Sequence, residues 1–207
     1  KQIKNNNFFI VNRILNYMLL KYQDYINEEI LDELHIDYKK TNGVIRLISN
    51  NIYYLNYCLE VANNNYINYD LGLKAAKDLV FQVKNYQDRY FTFLAFDLNE
   101  ILVVDGNKFL LIPKQTHKLE IMDYNVNEND LKEFLVNHAF IPPEILELKS
   151  HLINISANYY SIGHILLKII FNDISPKNIE KIKYTTLYYF IKRCIHENPK
   201  HRFLVLV

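Results

Sequence analysis

The chain has 207 residues, half of them hydrophobic, with 24 Lys and Arg against 23 Asp and Glu, a formal charge of +1. That length suits one compact domain or a small lobe joined to a larger one, and the apolar half is ample for a core. Near neutrality gives no strong steering toward nucleic acid or an anionic membrane surface, and two distant cysteines, Cys58 and Cys194, read as free thiols of a reducing compartment.

The first residue is Lys rather than Met, which reads as a fragment or processed form of something longer. Asn, Ile, Tyr and Lys are abundant and Trp is absent, the bias of an AT-rich genome. The Asn runs at 5–7 and 63–65 are therefore read as compositional drift, and the 17 tyrosines as core and boundary residues.

From the N-terminus, residues 8–22 carry Phe9, Ile10, Ile14, Leu15, Met18, Leu19 and Tyr22 at helical spacing, so a one-sided core helix is expected there. Asn12, Arg13 and Asn16 interrupt it, and it is too short and polar to span a membrane. Residues 27–34 predict a short helix with Glu28 and Glu29 suited to the dipole of its first turn. Residues 44–48 and 52–59 predict two strands, joined by the turn cluster Ser49-Asn50-Asn51. A long amphipathic helix over 71–86 puts Leu73, Ala76, Leu79, Val80 and Val83 on one face. Residues 113–139 are acidic and mostly polar, with 131–136 helical. Residues 158–171 form the most hydrophobic helix, Pro176 opens a new segment, 185–194 form a further helix, and 203–207 are an apolar tail. Among seven histidines none has metal-ligand spacing; His196 and His201 flank an Asn-Pro turn and read as helix-end residues, so no metal site is expected.

Four stretches carry chemistry by their order. Residues 93–112 run Phe-Leu-Ala-Phe-Asp-Leu-Asn-Glu-Ile-Leu-Val-Val-Asp-Gly-Asn-Lys-Phe-Leu-Leu-Ile, followed by Pro113. Then come Phe140-Ile141-Pro142-Pro143-Glu144-Ile145-Leu146, Asn158-Tyr159-Tyr160-Ser161-Ile162-Gly163-His164-Ile165-Leu166, and Cys194-Ile195-His196-Glu197-Asn198-Pro199-Lys200-His201-Arg202. In this order, and over roughly residues 52–207, they resemble a protein kinase: catalytic segment, Ala-Pro-Glu close of the activation segment, central helix, and late-helix Asn-Pro-x-x-Arg.

The resemblance implies an α+β, protein kinase-like fold. A reduced N-terminal β lobe would occupy 1–59 and a mainly helical C-terminal lobe 60–207, with 27–34 as the regulatory helix and 60–65 as the polar hinge. It puts the His-Arg-Asp triplet on Phe93-Leu94-Ala95, the metal-binding Asn on Glu100 and the metal-binding Asp on Pro113. Glu144 and Arg202 would form a buried ion pair. Thr116 and Tyr124 fall in the activation-segment position and read as ordinary loop residues.

The residues argue against phosphoryl transfer on their own. Ala95 accepts no proton, and Pro113 offers neither a side-chain oxygen nor a backbone donor. Glu100 is a hard oxygen ligand suited to weak magnesium binding. Asp97 is the nearest acid for a displaced base, though a loop carboxylate bonding its own backbone is the plainer reading. The four glycines, Gly43, Gly72, Gly106 and Gly163, are too scattered for a phosphate-cradling loop, and no Val-Ala-Ile-Lys strand supplies a clamping lysine. The expectation is a catalytically inactive pseudokinase, intracellular and cytoplasmic, that binds a protein partner as a scaffold or allosteric module, without cofactor, nucleotide or nucleic acid. Two alternatives stand beside it: a structural subunit of a larger complex, and a divergent nucleotide-dependent kinase using Asp97 and Glu100.

Overall fold

The computed structural model describes residues 2–3, 9–12, 17–21, 28–42, 44–61, 68–113, 117–118, 123–126, 140–147 and 152–205. The fold is α+β. Its first sheet has the order β1-β2-β3-β5-β4, every neighbour antiparallel, from β1 (Gln2–Ile3), β2 (Phe9–Asn12), β3 (Tyr17–Lys21), β4 (Asp37–Thr41) and β5 (Val44–Ile48). Helix α1 (Glu28–Glu33) precedes β4 and buries Ile30 and Leu31.

The helix expected over 8–22 is corrected: β2 and β3 are antiparallel strands, with Phe9 opposite Leu20 and Asn12 opposite Tyr17. Both runs are dense in residues that fit a pleated surface, and β3 gains a second partner in β5. The apolar residues of two short strands happened to fall three and four apart, which imitates a helical stripe. Glu28 also has a specific role, pairing with Lys40 at 2.6 Å across to β4.

The two sheets part at 49–51. Strand β6 (Ile52–Tyr54) pairs with β8 (Ile101–Val104), and β8 with β9 (Lys108–Leu111). The strand expected over 52–59 is therefore shorter, because the chain turns into helix α2 (Leu55–Val61) after Tyr54. Asp105, at φ 51 in the β8–β9 turn, ties the link down. Its carboxylate accepts from Ser49 Oγ at 2.8 Å and from the Asn50 amide at 3.0 Å. Burial alone would push that carboxyl up; these hydrogen bonds and the Lys108 ammonium hold it below its ordinary value.

Four further helices stand among the described residues. Helix α3 (Tyr69–Asp88) is capped by Asn68, whose Oδ1 accepts from the Leu71 amide at 3.3 Å. It buries Ala75, Ala76, Leu79 and Val83. A short helix α4 (Pro143–Leu146) precedes α5 (Ala157–Phe171), the most buried helix, which ends at Asn172 in the left-handed conformation. After a 3-10 stretch at Pro176–Ile182, α6 (Thr186–Cys194) is capped by Thr185. Gly163 lets α5 approach the end of α6: a Cβ there would lie 2.5 Å from Ile195 Cγ2. Two strand pairs complete the fold, β7 (Phe91–Thr92) with β10 (His117–Lys118), and β11 (Asp123–Asn125) with β12 (Leu152–Asn154).

No helix among the described residues is long and apolar enough to cross a membrane. Cys58 is half-buried, Cys194 is buried, and both are free thiols. Thr116, Gly43, both Asn runs, most of 60–65 and the expected helix at 131–136 lie outside the described residues.

Candidate functional site

The segment aligned with a kinase catalytic loop begins after β7. Phe93, Leu94 and Ala95 are all buried, so the positions that would carry His-Arg-Asp face the core. A 3-10 turn at Leu98–Glu100 follows, entered by Asp97 in extended conformation. Here the two candidate acids serve the turn itself. Asp97 Oδ1 accepts from the Asn99 amide at 2.7 Å, and Glu100 Oε2 accepts from the Asp97 amide at 3.0 Å. This reciprocal capping box satisfies donors that a turn start otherwise leaves bare. Asp97 is 6% exposed and Glu100 2%, so neither carboxylate is presented to solvent.

The hairpin brings Pro113 alongside. Ile101 lies opposite Leu111, and the Ile112 amide donates to the Glu100 carbonyl at 2.6 Å. Pro113, buried, is the next residue along. Glu100 and Pro113 are thus near neighbours across one hairpin, and the side chains there offer one carboxylate, already engaged. Among the described residues no cluster of three or more His, Cys, Asp or Glu side chains is arranged to hold a metal.

Glu144 and Arg202, 58 residues apart in sequence, meet in a two-point contact: Arg202 Nη1 to Glu144 Oε1 at 2.6 Å and Nη2 to Oε2 at 2.9 Å. The Arg202 side chain is fully buried and that of Glu144 a quarter exposed. Two further Arg202 donors go to the carbonyls of His196 at 2.6 Å and Glu197 at 2.8 Å, and its guanidinium lies 4.9 Å over the Tyr160 ring. A buried guanidinium requires this degree of satisfaction. His196 also serves its local turn: its Nδ1 accepts from the Asn198 amide at 3.0 Å, and Nε2 lies 3.4 Å from His201 Nδ1.

A polar stripe on α5 joins the two regions. Ser161 Oγ accepts from the Phe96 amide and donates to the Phe140 carbonyl, both at 3.3 Å. Asn158 Nδ2 donates to Thr92 Oγ1 at 2.9 Å. One turn on, the His164 ring stacks on Phe140 and meets the edge of Tyr160. Burial, reinforced by the Arg202 charge, pushes His164 down to about 4. Sequence reasoning placed 158–166 on a central helix but missed these roles. The signal was present: Asn158, Ser161 and His164 repeat every third residue within the most apolar segment of the chain.

An apolar pocket of about 190 Å³ opens between α2, the start of α3, the β8–β9 hairpin and the end of α5, lined by Leu55, Cys58, Leu71, Val103 and Phe109. It is smaller than the roughly 300–1,000 Å³ that drug-sized ligands occupy. No basic side chain lines it among the described residues. No family model matches the chain, and no curated protein matches it.

Proposed function

We propose that the chain is a catalytically inactive, protein kinase-like module that works by binding a protein partner. The observation that carries this reading is the capping box: the two acids nearest the catalytic position are buried and bonded to their own turn. Phosphoryl transfer needs a carboxylate aimed at the substrate hydroxyl and side chains holding magnesium. Ala95 and Pro113 supply neither, and Asp97 and Glu100 are committed elsewhere. Support for the kinase-like frame comes from the Glu144–Arg202 pair, which joins the two motif ends as such a lobe requires. A lobe stiffened by that pair, with its nearest loop acids bonded to their own turn, is suited to recognition rather than catalysis.

The test is a thermal-shift titration with ATP, with and without magnesium. A ligand that binds only the folded state raises the melting temperature by mass action. The expected result is no shift at saturating nucleotide. A magnesium-dependent rise would sink the reading and favour a divergent kinase using Asp97 and Glu100. A structural subunit of a larger complex is the second reading, favoured by Phe203 and Val205, each nearly half exposed beside α6. Insolubility of the chain expressed alone is what that reading expects.

A further inference from the structure

Charge is distributed unevenly. Between residues 168 and 205 eight Lys and Arg stand against three Asp and Glu, while residues 1–167 hold four more acids than bases. The basic surplus coincides with an exposed aromatic surface. On α6, Tyr189, Lys192 and Arg193 occupy one stripe at the three- and four-residue spacing that makes helix neighbours, and Tyr189 is 47% exposed. Arg193 lies 5.2 Å over the Phe203 ring, and its Nη2 donates to the Val205 carbonyl. The tail alternates, with Leu204 buried and Phe203 and Val205 turned out at 47% and 45% exposure. At the other end of α6, Tyr184 is 77% exposed with Lys183 5.4 Å over its ring.

The acid on this surface is already engaged. Glu180 accepts from the Tyr188 hydroxyl at 3.1 Å and pairs with Lys183 at 3.5 Å. Among the described residues, Lys192 and Arg193 have no carboxylate within ion-pair distance. The face therefore offers two cations with no carboxylate partner among the described residues, beside the half-exposed Tyr189, Phe203 and Val205.

We infer that this face, the outer stripe of α6 with the 203–205 segment beside it, docks an acidic segment of a partner protein that also carries apolar side chains. The inference rests on the binding-module reading and specifies its partner. Carboxylates would meet Lys192 and Arg193, while apolar groups would cover Tyr189, Phe203 and Val205, the mixed chemistry of a recognition hot spot. Single-stranded nucleic acid fits less well: it needs open aromatic faces for stacking, and Tyr184 and Phe203 each already hold one of the protein's own cations over the ring. An anionic bilayer is bound by clusters of about four to eight Lys and Arg, more than the Lys183, Lys192 and Arg193 of this surface.

The experiment measures fluorescence anisotropy of a labelled peptide alternating Glu with Leu and Phe, in parallel with a Glu-Ser peptide, labelled oligothymidine, and sedimentation with phosphatidylserine vesicles. The expected result is preferential binding of the Glu-Leu-Phe peptide, weakening with salt. The Lys192→Glu/Arg193→Glu pair should weaken it by roughly tenfold or more. Because Arg193 also holds the tail, a second variant, Lys183→Glu/Lys192→Glu, reverses two exposed lysines without touching that contact and should weaken binding to a similar degree. Equal binding by both variants would overturn the inference. So would preference for oligothymidine or vesicles, or a concentration-dependent dimer that the variants abolish, which would make a second copy the occupant. The ATP–magnesium thermal shift on the same preparation separates the two failures. A nucleotide response sinks the inactive-module reading, whereas peptide failure without that response sinks the docking surface alone.

Discussion

Gln82 on α3 grips β9 with both ends of its amide: Nε2 donates to the Phe109 carbonyl at 2.7 Å, and Oε1 accepts from the Leu111 amide at 2.8 Å. Asp78, one turn earlier, accepts from the Phe109 amide at 3.0 Å, and Tyr86, one turn later, donates to the Leu111 carbonyl at 3.5 Å. Strand β9 is an edge of its sheet, with β8 on one side only. Covered by α3, its outward backbone groups at 109 and 111 would be buried and bare without these side chains. Three side chains four residues apart act as the missing strand, and they fix the hairpin that carries Glu100 and Pro113. The covered edge is also one that a foreign strand cannot pair with.

Replacing Gln82 by Leu keeps the volume close and removes both partners at once. Each buried backbone group left without a partner costs about 1–3 kcal/mol, so a loss of about 2–6 kcal/mol is expected for the pair. Urea denaturation should show a lower midpoint with an unchanged slope. A variant within error of the parent would mean that water reaches the edge of β9 and satisfies it.

The reach of sequence reasoning follows from what each feature depends on. Helices α3, α5 and α6 were legible because each has a long apolar stripe, and Asn68 and Thr185 cap two of them. Strands β2 and β3 were misread because two short apolar runs match either period until their partners are known. Tyr54 ends a strand and Leu55 opens a helix with no Gly or Pro between them, so that boundary carries no local signal. Asp97 was legible as a residue bonding its own backbone, since such bonds are local. Asp78 and Gln82 were not, because their partners lie about thirty residues away on a strand edge whose exposure is a tertiary fact.

Asp97→Ala tests the role of the candidate acids. Loss of a turn-capping side chain costs about 1 kcal/mol, up to about 2, and Glu100→Gln weakens the reciprocal bond. Both variants should melt lower than the parent while leaving the response to ATP and magnesium unchanged. A variant that abolishes a nucleotide-dependent shift would instead place these carboxylates in a working site.

The Glu144–Arg202 pair should be strongly coupled. Removing one member of a buried pair leaves the other uncompensated, at about 3–5 kcal/mol. Arg202→Met is the more severe case because its side chain is fully buried. Glu144→Gln leaves Arg202 its two carbonyl acceptors and should cost less. A double-mutant cycle in chemical denaturation is the measurement, and additive losses would show that the two side chains act independently. Arg202→Lys should not rescue stability, because an ammonium cannot span two carboxylate oxygens and two carbonyls.

Gly163 is set by the approach of α5 to the end of α6. In Gly163→Ala the new methyl would lie 2.5 Å from Ile195 Cγ2, 3.0 Å from Cys194 Cβ and 3.3 Å from the Ile195 amide nitrogen. The side-chain contacts can give only by moving the chain behind them. Overpacking of this kind costs about 1–3 kcal/mol, against about 1 kcal/mol gained from Ala in a helix. A net loss of stability is expected, readable as a lower melting temperature. A gain would mean that α6 slides away without consequence.

His164 gives the fold a pH dependence of known sign. Its ring is 8% exposed, packed on Phe140 and Tyr160 near Arg202, and burial lowers it from 6.5 to about 4. The native state therefore keeps the ring neutral while the unfolded chain takes up a proton below about 6.5. The unfolded state binds more protons, so stability is fully present above that pH and falls as pH drops toward 4. At about 1.4 kcal/mol per unit, the loss between pH 7 and 5 is about 2 kcal/mol. Carboxylates contribute their own dependence below pH 5, so the readout is the difference from His164→Phe, which keeps the stacking and cannot titrate. The buried Nδ1 has no hydrogen-bond partner among the described residues, so the Phe ring forfeits no bond at that atom. Stability of the variant should stay level across pH 7 to 5 where that of the parent declines, and parallel curves would show that His164 is reached by solvent and titrates normally.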